Sequence, residues 1–358
     1  MSNGAVLVTG AFGLVGPAVV DQLLADGRRV VATDIDTPDN RKKARLARSS
    51  GADVVWADLT DAGAVQRLLQ NTEPCAVVHL AAVIPPFCYA RRALAREVNV
   101  GATSSLVRAA SALPSPPRFV LASSVAVYGA RNPHHRTDLL TTTTPVDPVE
   151  LYGALKVETE GAVTPSPLDW VILRLGGVLS PRPRWDVGAD LLDFERLLPT
   201  DGRLQTVDVR DVAWAFSRAT TTDAVNEVFL VGGDDSHRVL QGDLGSSMAE
   251  AMGLVGGLPA GRRGAPESER DWFPTDWMDC ARSQRVLSFQ HHSLPDLLGE
   301  SRAAAGVLRW PLAALAPAVR TYLRSRSPYR NQAGAYADPW GAIRRRWGDP
   351  FPDPVRPA

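Results

Sequence analysis

The sequence predicts an α/β fold: a doubly wound parallel sheet of the Rossmann kind, with a smaller interleaved C-terminal substrate region and a basic C-terminal tail. Three observations predict it. Short β-branched runs alternate with helical stretches through the first half of the chain, those runs are apolar on both faces, and a glycine-rich turn follows the first of them. A chain of 358 residues, 45% hydrophobic and 22% charged, is long and apolar enough to bury one large core or two smaller ones. Disordered and fibrous architectures are excluded by that composition.

Strands are expected at residues 5–9, 29–34, 53–57, 76–81, 118–122 and 170–175, with amphipathic helices between them. Beyond Gly177 the alternation weakens: residues 181–208 read as loop-rich, 209–220 as a helix and Glu227–Val231 as one more sheet strand. The predicted organisation is a dinucleotide-binding unit over 1–177, to which 206–232 returns, a substrate region over 178–205 and 233–299, and an extension over 300–358. Residues 256–264 read as a Gly-rich flexible connector. Residues 1–20 carry no charge, yet Gly10, Gly13, Gly16 and Pro17 interrupt the apolar run, so a strand and turn are expected rather than a signal peptide. No stretch approaches the roughly 18 uninterrupted apolar residues of a spanning helix. Cys75, Cys88 and Cys280 are too scattered for a disulfide framework or a metal site, so a cytoplasmic protein is expected.

The first strand runs into Gly10-Ala-Phe12-Gly13-Leu14-Val15-Gly16, three glycines at three-residue intervals. A strand must turn sharply there, admit a pyrophosphate to its backbone and start a helix whose amides face that anion. Asp34 closes the second strand, where a carboxylate bonds both adenosine ribose hydroxyls and repels a 2′-phosphate, so NAD is favoured over NADP. Arg41, Lys42, Lys43 and Arg45 read as a solvated helix face. Asp58 and Leu59 close the third strand, with Asp58 either capping the adenine or N-capping a helix. Small residues at Ala81 and Ala82 leave clearance for a flat cofactor.

Tyr152 and Lys156 stand four apart on a helical stretch and share a face. An ammonium beside a tyrosine favours its phenolate, which can exchange a proton with an alcohol or carbonyl oxygen while hydride moves to or from nicotinamide. Ser124, at the end of the fifth strand, is the hydroxyl expected to hold that oxygen, and Ser123 is the alternative. His134-His135 and His291-His292 read as loop residues rather than metal ligands, and Cys88 as packing, because no histidine stands ready to activate it.

These motifs together resemble the extended short-chain dehydrogenase/reductases, the NAD-dependent epimerase/dehydratase family, over about residues 4–299. The resemblance implies that Ser124, Tyr152 and Lys156 are the catalytic set. It also implies that Gly10, Phe12, Gly13, Leu14, Val15, Asp34, Asp58, Leu59, Ala81, Ala82, Asn99, Ser123, Tyr152, Lys156 and Gly177 surround the cofactor. Arg174-Leu-Gly-Gly177 resembles the strand end beside the nicotinamide, Asp211 the later aspartate that positions a helix, and Asp279, Arg282, Arg285 and Leu287 the closing substrate signature. The implied activity is hydride transfer between nicotinamide and a secondary alcohol or ketone, sterol-, polyketide- or sugar-like. The alternatives are a sugar-nucleotide epimerase or dehydratase and, from another class, a dinucleotide-binding sensor or scaffold. Leu204 stands where nucleotide-sugar enzymes carry an arginine clamp for the diphosphate, with Arg203 and Arg210 as possible substitutes. Relatives form dimers through helices that fall here at residues 87–112 and 152–162, so a homodimer is expected.

With 39 basic and 39 acidic side chains the formal charge is zero, which gives no case for nucleic acid as partner; a small molecule is expected. The balance is uneven: residues 300–358 hold ten arginines against four acids, leaving 29 bases against 35 acids before them. In that tail Leu315, Val319, Tyr322 and Leu323 form an apolar stripe near Arg320, Arg324 and Arg326, and Trp340, Trp347 and Phe351 surround Arg344, Arg345 and Arg346. The tail is expected to pack on its own acidic body, with an anionic membrane surface or a partner protein as the other readings.

Overall fold

The computed structural model describes residues 4–181, 189–256, 258–259, 261–330 and 332–353. Seven parallel strands form the main sheet in the order β3-β2-β1-β4-β5-β6-β9: β1 is Val6–Thr9, β2 Val30–Asp34, β3 Asp53–Trp56, β4 Ala76–His79, β5 Arg118–Ser124, β6 Trp170–Leu175 and β9 Glu227–Val231. Every one of these was legible as a run of β-branched residues. The reversal of strand order at β1 and β4 makes the crevice at their C-terminal ends the natural ligand site of such a sheet.

Burial alternates as the pleat demands. Val6, Val8, Val78, Val120 and Val171 face one core, against the helices Gly16–Ala25 and Val209–Ala219. Leu7, Val77, Phe119, Leu121 and Ile172 face the other, with Leu68, Leu106 and Val163 from the helices Ala62–Thr72, Ala102–Ser111 and Leu151–Val163. Covering both faces explains why the strands read as continuous apolar runs rather than as alternating ones.

A second sheet corrects the loop-rich reading of residues 181–208. It has the order β10-β8-β7, with β7 Gly177–Leu179 parallel to β8 Arg203–Asp208 and β10 Arg238–Leu240 antiparallel to β8. A helix, Ala189–Glu195, also forms within that stretch, and residues 182–188 lie outside the described residues. Strand β8 was missed because Arg203 and Gln205 break its apolar run, although both are at least half-buried in the tertiary structure. Of residues 256–264, Gly257 and Ala260 lie outside the described residues, and the others form no helix or strand.

The extension folds back onto the body, as the favoured reading expected; its residues 331 and 354–358 lie outside the described residues. The helix Pro339–Trp347 buries Trp340, Ile343 and Trp347 against Phe194, Leu151 and Leu155. Arg346 pairs with Asp190 at 2.9 Å and Asp193 at 2.6 Å, so basic tail meets acidic body directly.

Candidate functional site

The C-terminal ends of β1 to β6 open onto one cleft of about 730 Å³. Gly10, Gly13, Leu14, Val15, Asp34, Asp58, Leu59, Ala81, Ala82, Ser123, Ser124, Tyr152, Lys156 and Gly177 all line it. Gly10 has φ 64°, and a Cβ there would stand 2.7 Å from the Ala81 amide nitrogen, so the turn closes onto β4 only with glycine. Asp34 accepts hydrogen bonds from the amides of Phe12 (3.0 Å) and Ile35 (2.8 Å), which ties the end of β2 to the glycine turn. A turn that admits no Cβ, a helix starting at Gly16 and a carboxylate beside them fit a dinucleotide with an unphosphorylated ribose diol.

The surrounding charges agree with that fit. Arg41 is paired with Asp36, while Lys43 pairs with Asp39 at 3.0 Å and donates to the Phe12 carbonyl at 3.0 Å. Asp58 accepts from the amide and hydroxyl of Thr60, and Asp61 caps the helix Ala62–Thr72; the N-cap reading of Asp58 is thereby corrected. Two expected cofactor neighbours stand back from the cleft. Phe12 turns its ring onto Trp56, centroids 5.6 Å apart, and contributes only its backbone. Asn99 is buried and exchanges two hydrogen bonds with the backbone of Val83, at 2.7 and 3.1 Å, so it shapes the loop after β4.

At the other end of the cleft, the helix Leu151–Val163 carries Tyr152 and Lys156. Its first turn is held by the Glu150 side chain, which accepts from the amides of Tyr152 (2.6 Å) and Gly153. Gly153 allows the close approach: a Cβ there would lie 2.4 Å from the Ala126 carbonyl oxygen. This places Tyr152 on the cleft wall together with Ser124, whose hydroxyl accepts from the Ala126 amide at 3.2 Å. The Ser123 hydroxyl instead donates to Glu160 in a buried network; Arg174 forks onto Glu160 at 3.0 and 2.7 Å and reaches the Tyr128 hydroxyl at 2.7 Å. Lys156 Nζ donates to the Ala122 carbonyl at 2.7 Å and stands 5.7 Å from the Tyr152 ring centroid.

The electrostatics depart from the sequence expectation. Burial pushes the Tyr152 hydroxyl above the usual tyrosine range; Cys88 and Glu150 add to the rise, and the Ser124 hydrogen bond opposes it. Burial lowers the Lys156 ammonium to about 8, against the pull of Glu160. In this arrangement burial favours the protonated form of the tyrosine. Burial also pushes Glu150 up to about 7, partly countered by its amide donors and the Tyr89 hydroxyl at 3.0 Å.

The outer half of the cleft was not legible. Ile84, Pro85, Phe87, Leu94, Val98, Phe194, Phe273 and Pro274 line it, and Arg91 is its cation among the described residues. Phe194 stands 5.7 Å from Trp347 and Phe273 5.8 Å from Trp340, centroid to centroid, so the extension backs this wall. The Pro350 carbonyl accepts from the Leu151 amide at 2.7 Å, capping the helix that bears Tyr152. Arg203 stacks 4.7 Å from the Trp277 ring centroid and Arg210 is paired with Asp208 and Glu300, so neither candidate substitute clamp lines the cleft. Leu204 is buried in β8.

The remaining candidates find structural partners. Asp211 accepts from the amides of His291 and His292 and pairs with the His292 ring at 2.6 Å. His134 meets Asp201 and His135 meets Glu269. Cys88 is fully buried, which pushes its thiol well above the reactive range. Among the described residues no group of His, Cys, Asp and Glu is placed to hold a metal ion.

A doubly wound sheet, a glycine turn answered by Asp34 and a Ser/Tyr/Lys set lining the same cleft define a dinucleotide-dependent enzyme. The model of the NAD dependent epimerase/dehydratase family matches residues 6–232, and the chain belongs to that family. A UDP-glucose 4-epimerase of Mycolicibacterium smegmatis is 28% identical over 303 residues, 78% of this chain and 88% of its own. A D-erythronate dehydrogenase of Cupriavidus necator is 33% identical over 162 residues, 42% of this chain and 47% of its own. The UDP-glucose 4-epimerase of Thermus thermophilus, in complex with NAD, superposes with a TM-score of 0.68 at 23% identity, covering 85% of this chain and 99% of that one. The Bordetella bronchiseptica enzyme WbmG in complex with NAD gives 0.67 at 20%, covering 87% and 97%.

Proposed function

We propose that this chain is an NAD-dependent oxidoreductase that interconverts a secondary alcohol and a ketone on a largely apolar substrate. The observation that carries the substrate class is the outer half of the cleft, where apolar and aromatic side chains surround Arg91. Arg91 suits one anionic group at the cleft mouth, and a nucleoside diphosphate would find there none of the clamping arginines that Arg203 and Arg210 could have supplied.

When bound, the nicotinamide supplies the hydride donor or acceptor. Tyr152 gives its retained proton to the carbonyl oxygen during reduction and takes it back during oxidation. Ser124, on the same cleft wall, bonds the same oxygen. Lys156, with one ammonium proton on the Ala122 carbonyl, keeps two for the nicotinamide ribose. The apolar walls exclude water around these groups.

The test is spectroscopic. Secondary alcohols and ketones with an apolar body are expected to change the absorbance of the reduced cofactor, and Tyr152→Phe to cut the rate by about 10²–10⁴-fold with NAD affinity retained. An unchanged rate in that variant would overturn the assignment. A second reading, epimerisation of a nucleotide-sugar, is favoured by the 28% identical UDP-glucose 4-epimerase over 88% of its length. Turnover of nucleotide-sugars with no net cofactor reduction would establish it instead. The three free cysteines support a reducing, cytoplasmic setting. A homodimer through the helices Ala102–Ser111 and Leu151–Val163 is part of this proposal, to be checked by sedimentation.

A further inference from the structure

The helix Arg309–Ser325 is seventeen residues long and buries only Ala316. The stripe expected at Leu315, Val319, Tyr322 and Leu323 divides in two: Val319 and Leu323 are half-buried, whereas Leu315 and Tyr322 face outward. On the outward side, Pro311, Leu315, Ala318 and Tyr322 form one row at i, i+4, i+7 and i+11. Trp310, Ala314, Pro317 and Thr321 form the adjacent row, and the two rows contain no charged residue. Trp310 is 79% exposed and Val307, just before the helix, 80%. A continuous apolar face of this kind is unusual on a soluble surface unless something covers it.

Charge decides what covers it. No acidic residue occurs between Glu300 and Asp338, while Arg302, Arg309, Arg320, Arg324, Arg326 and Arg330 fall in that interval. None of these six pairs with a carboxylate among the described residues, in contrast to Arg344, Arg345 and Arg346, each of which does. Two copies meeting face to face would bring like charges together, whereas a surface of anionic headgroups would complement them. Tryptophan and tyrosine beside arginine, on a helix that lies along the molecular surface, match the chemistry of an interfacial segment. The helix does not need to span: no helix among the described residues is long and apolar enough to cross a membrane.

We propose that the helix Arg309–Ser325 docks this enzyme onto anionic lipid bilayers, with Trp310, Leu315 and Tyr322 seated at the headgroup boundary and the flanking arginines on the lipid charges. The full-length protein is mixed with vesicles of phosphatidylcholine alone or with about one-third phosphatidylglycerol and sedimented. The expected result is binding to the anionic vesicles only, weakened by salt. Trp310→Glu and Leu315→Glu, both at exposed positions that spare the fold, should each weaken it by about tenfold or more while leaving soluble activity unchanged. Arg324→Glu with Arg326→Glu should weaken anionic binding to a similar degree. No binding to either vesicle, equal binding to both, or binding untouched by Trp310→Glu would overturn the proposal. A dimer in solution that Trp310→Glu dissociates, without vesicle binding, would assign the face to a second copy.

Discussion

At the scale of single residues, the glycine turn, Asp34 and Ser124 were legible because each stands at a strand end, where a doubly wound sheet exposes side chains to ligand, and Tyr152 and Lys156 because they stand four apart on one helix face. What spacing could not show was the state of those groups. Burial, with Cys88 and Glu150, works against ionisation of Tyr152, and Lys156 is engaged by the Ala122 carbonyl. Nor could it show that the Ser123 hydroxyl, unlike that of Ser124, donates to Glu160. Asp34 carries a prediction at this scale. Since two nearby cations, Arg41 and Lys43, are already paired, the Asp34 carboxylate is the group expected to set nucleotide choice. Asp34→Ala should shift the NAD-to-NADP affinity ratio towards NADP by about tenfold or more, measured by nucleotide titration. Tighter binding of NADP than NAD to the unmodified protein would sink the assignment.

At the scale of elements, the helix Leu151–Val163 depends on its ends and on Gly153 more than on its amphipathic pattern. Glu150 holds the first turn from inside the protein, and burial raises its carboxyl from 4.5 to about 7. A carboxyl with a raised folded-state pKa favours the protonated form, so its contribution to stability is complete below about pH 4.5 and is lost as pH rises through about 7. Relative to Glu150→Gln, the unmodified protein should therefore lose about 1–3 kcal/mol between those limits, read from denaturant melts at several pH values. A constant difference would show that the amide donors hold Glu150 ionised throughout. Residues 87–112 show the opposite kind of surprise. One long helix was expected, whereas the chain forms Phe87–Ala90 and Arg92–Arg96, then a wide turn over Glu97–Gly101 before Ala102–Ser111. The break falls at Arg91, with φ −132°, and Arg91 lines the cleft.

At the scale of the whole molecule, the extension completes the site. Trp340, at 5% exposure, donates from its indole to the Arg270 carbonyl at 2.7 Å and packs on Phe273, while Trp347 packs on Phe194. Trp340→Ala should cost about 3–5 kcal/mol of stability by opening a cavity there. Ending the chain after residue 327 should lower the melting temperature and abolish activity, because it removes the Pro350 cap on Leu151 together with the backing of both cleft-lining phenylalanines. Full activity in the shortened protein would show that the wall stands without it. By itself the sequence determined the parallel sheet, the glycine turn and the candidate Ser124, Tyr152 and Lys156 that meet in the cleft, since these rest on local periodicity and on short motifs. Only the tertiary structure decided how the neutral total of 39 bases and 39 acids is deployed: part of the basic tail is bonded to the acidic body, and part is left outward beside an apolar helix face. It also decided that the outer cleft is apolar. Phe194, Phe273 and Trp347 lie far apart in the chain, and only packing across those distances brings their rings together.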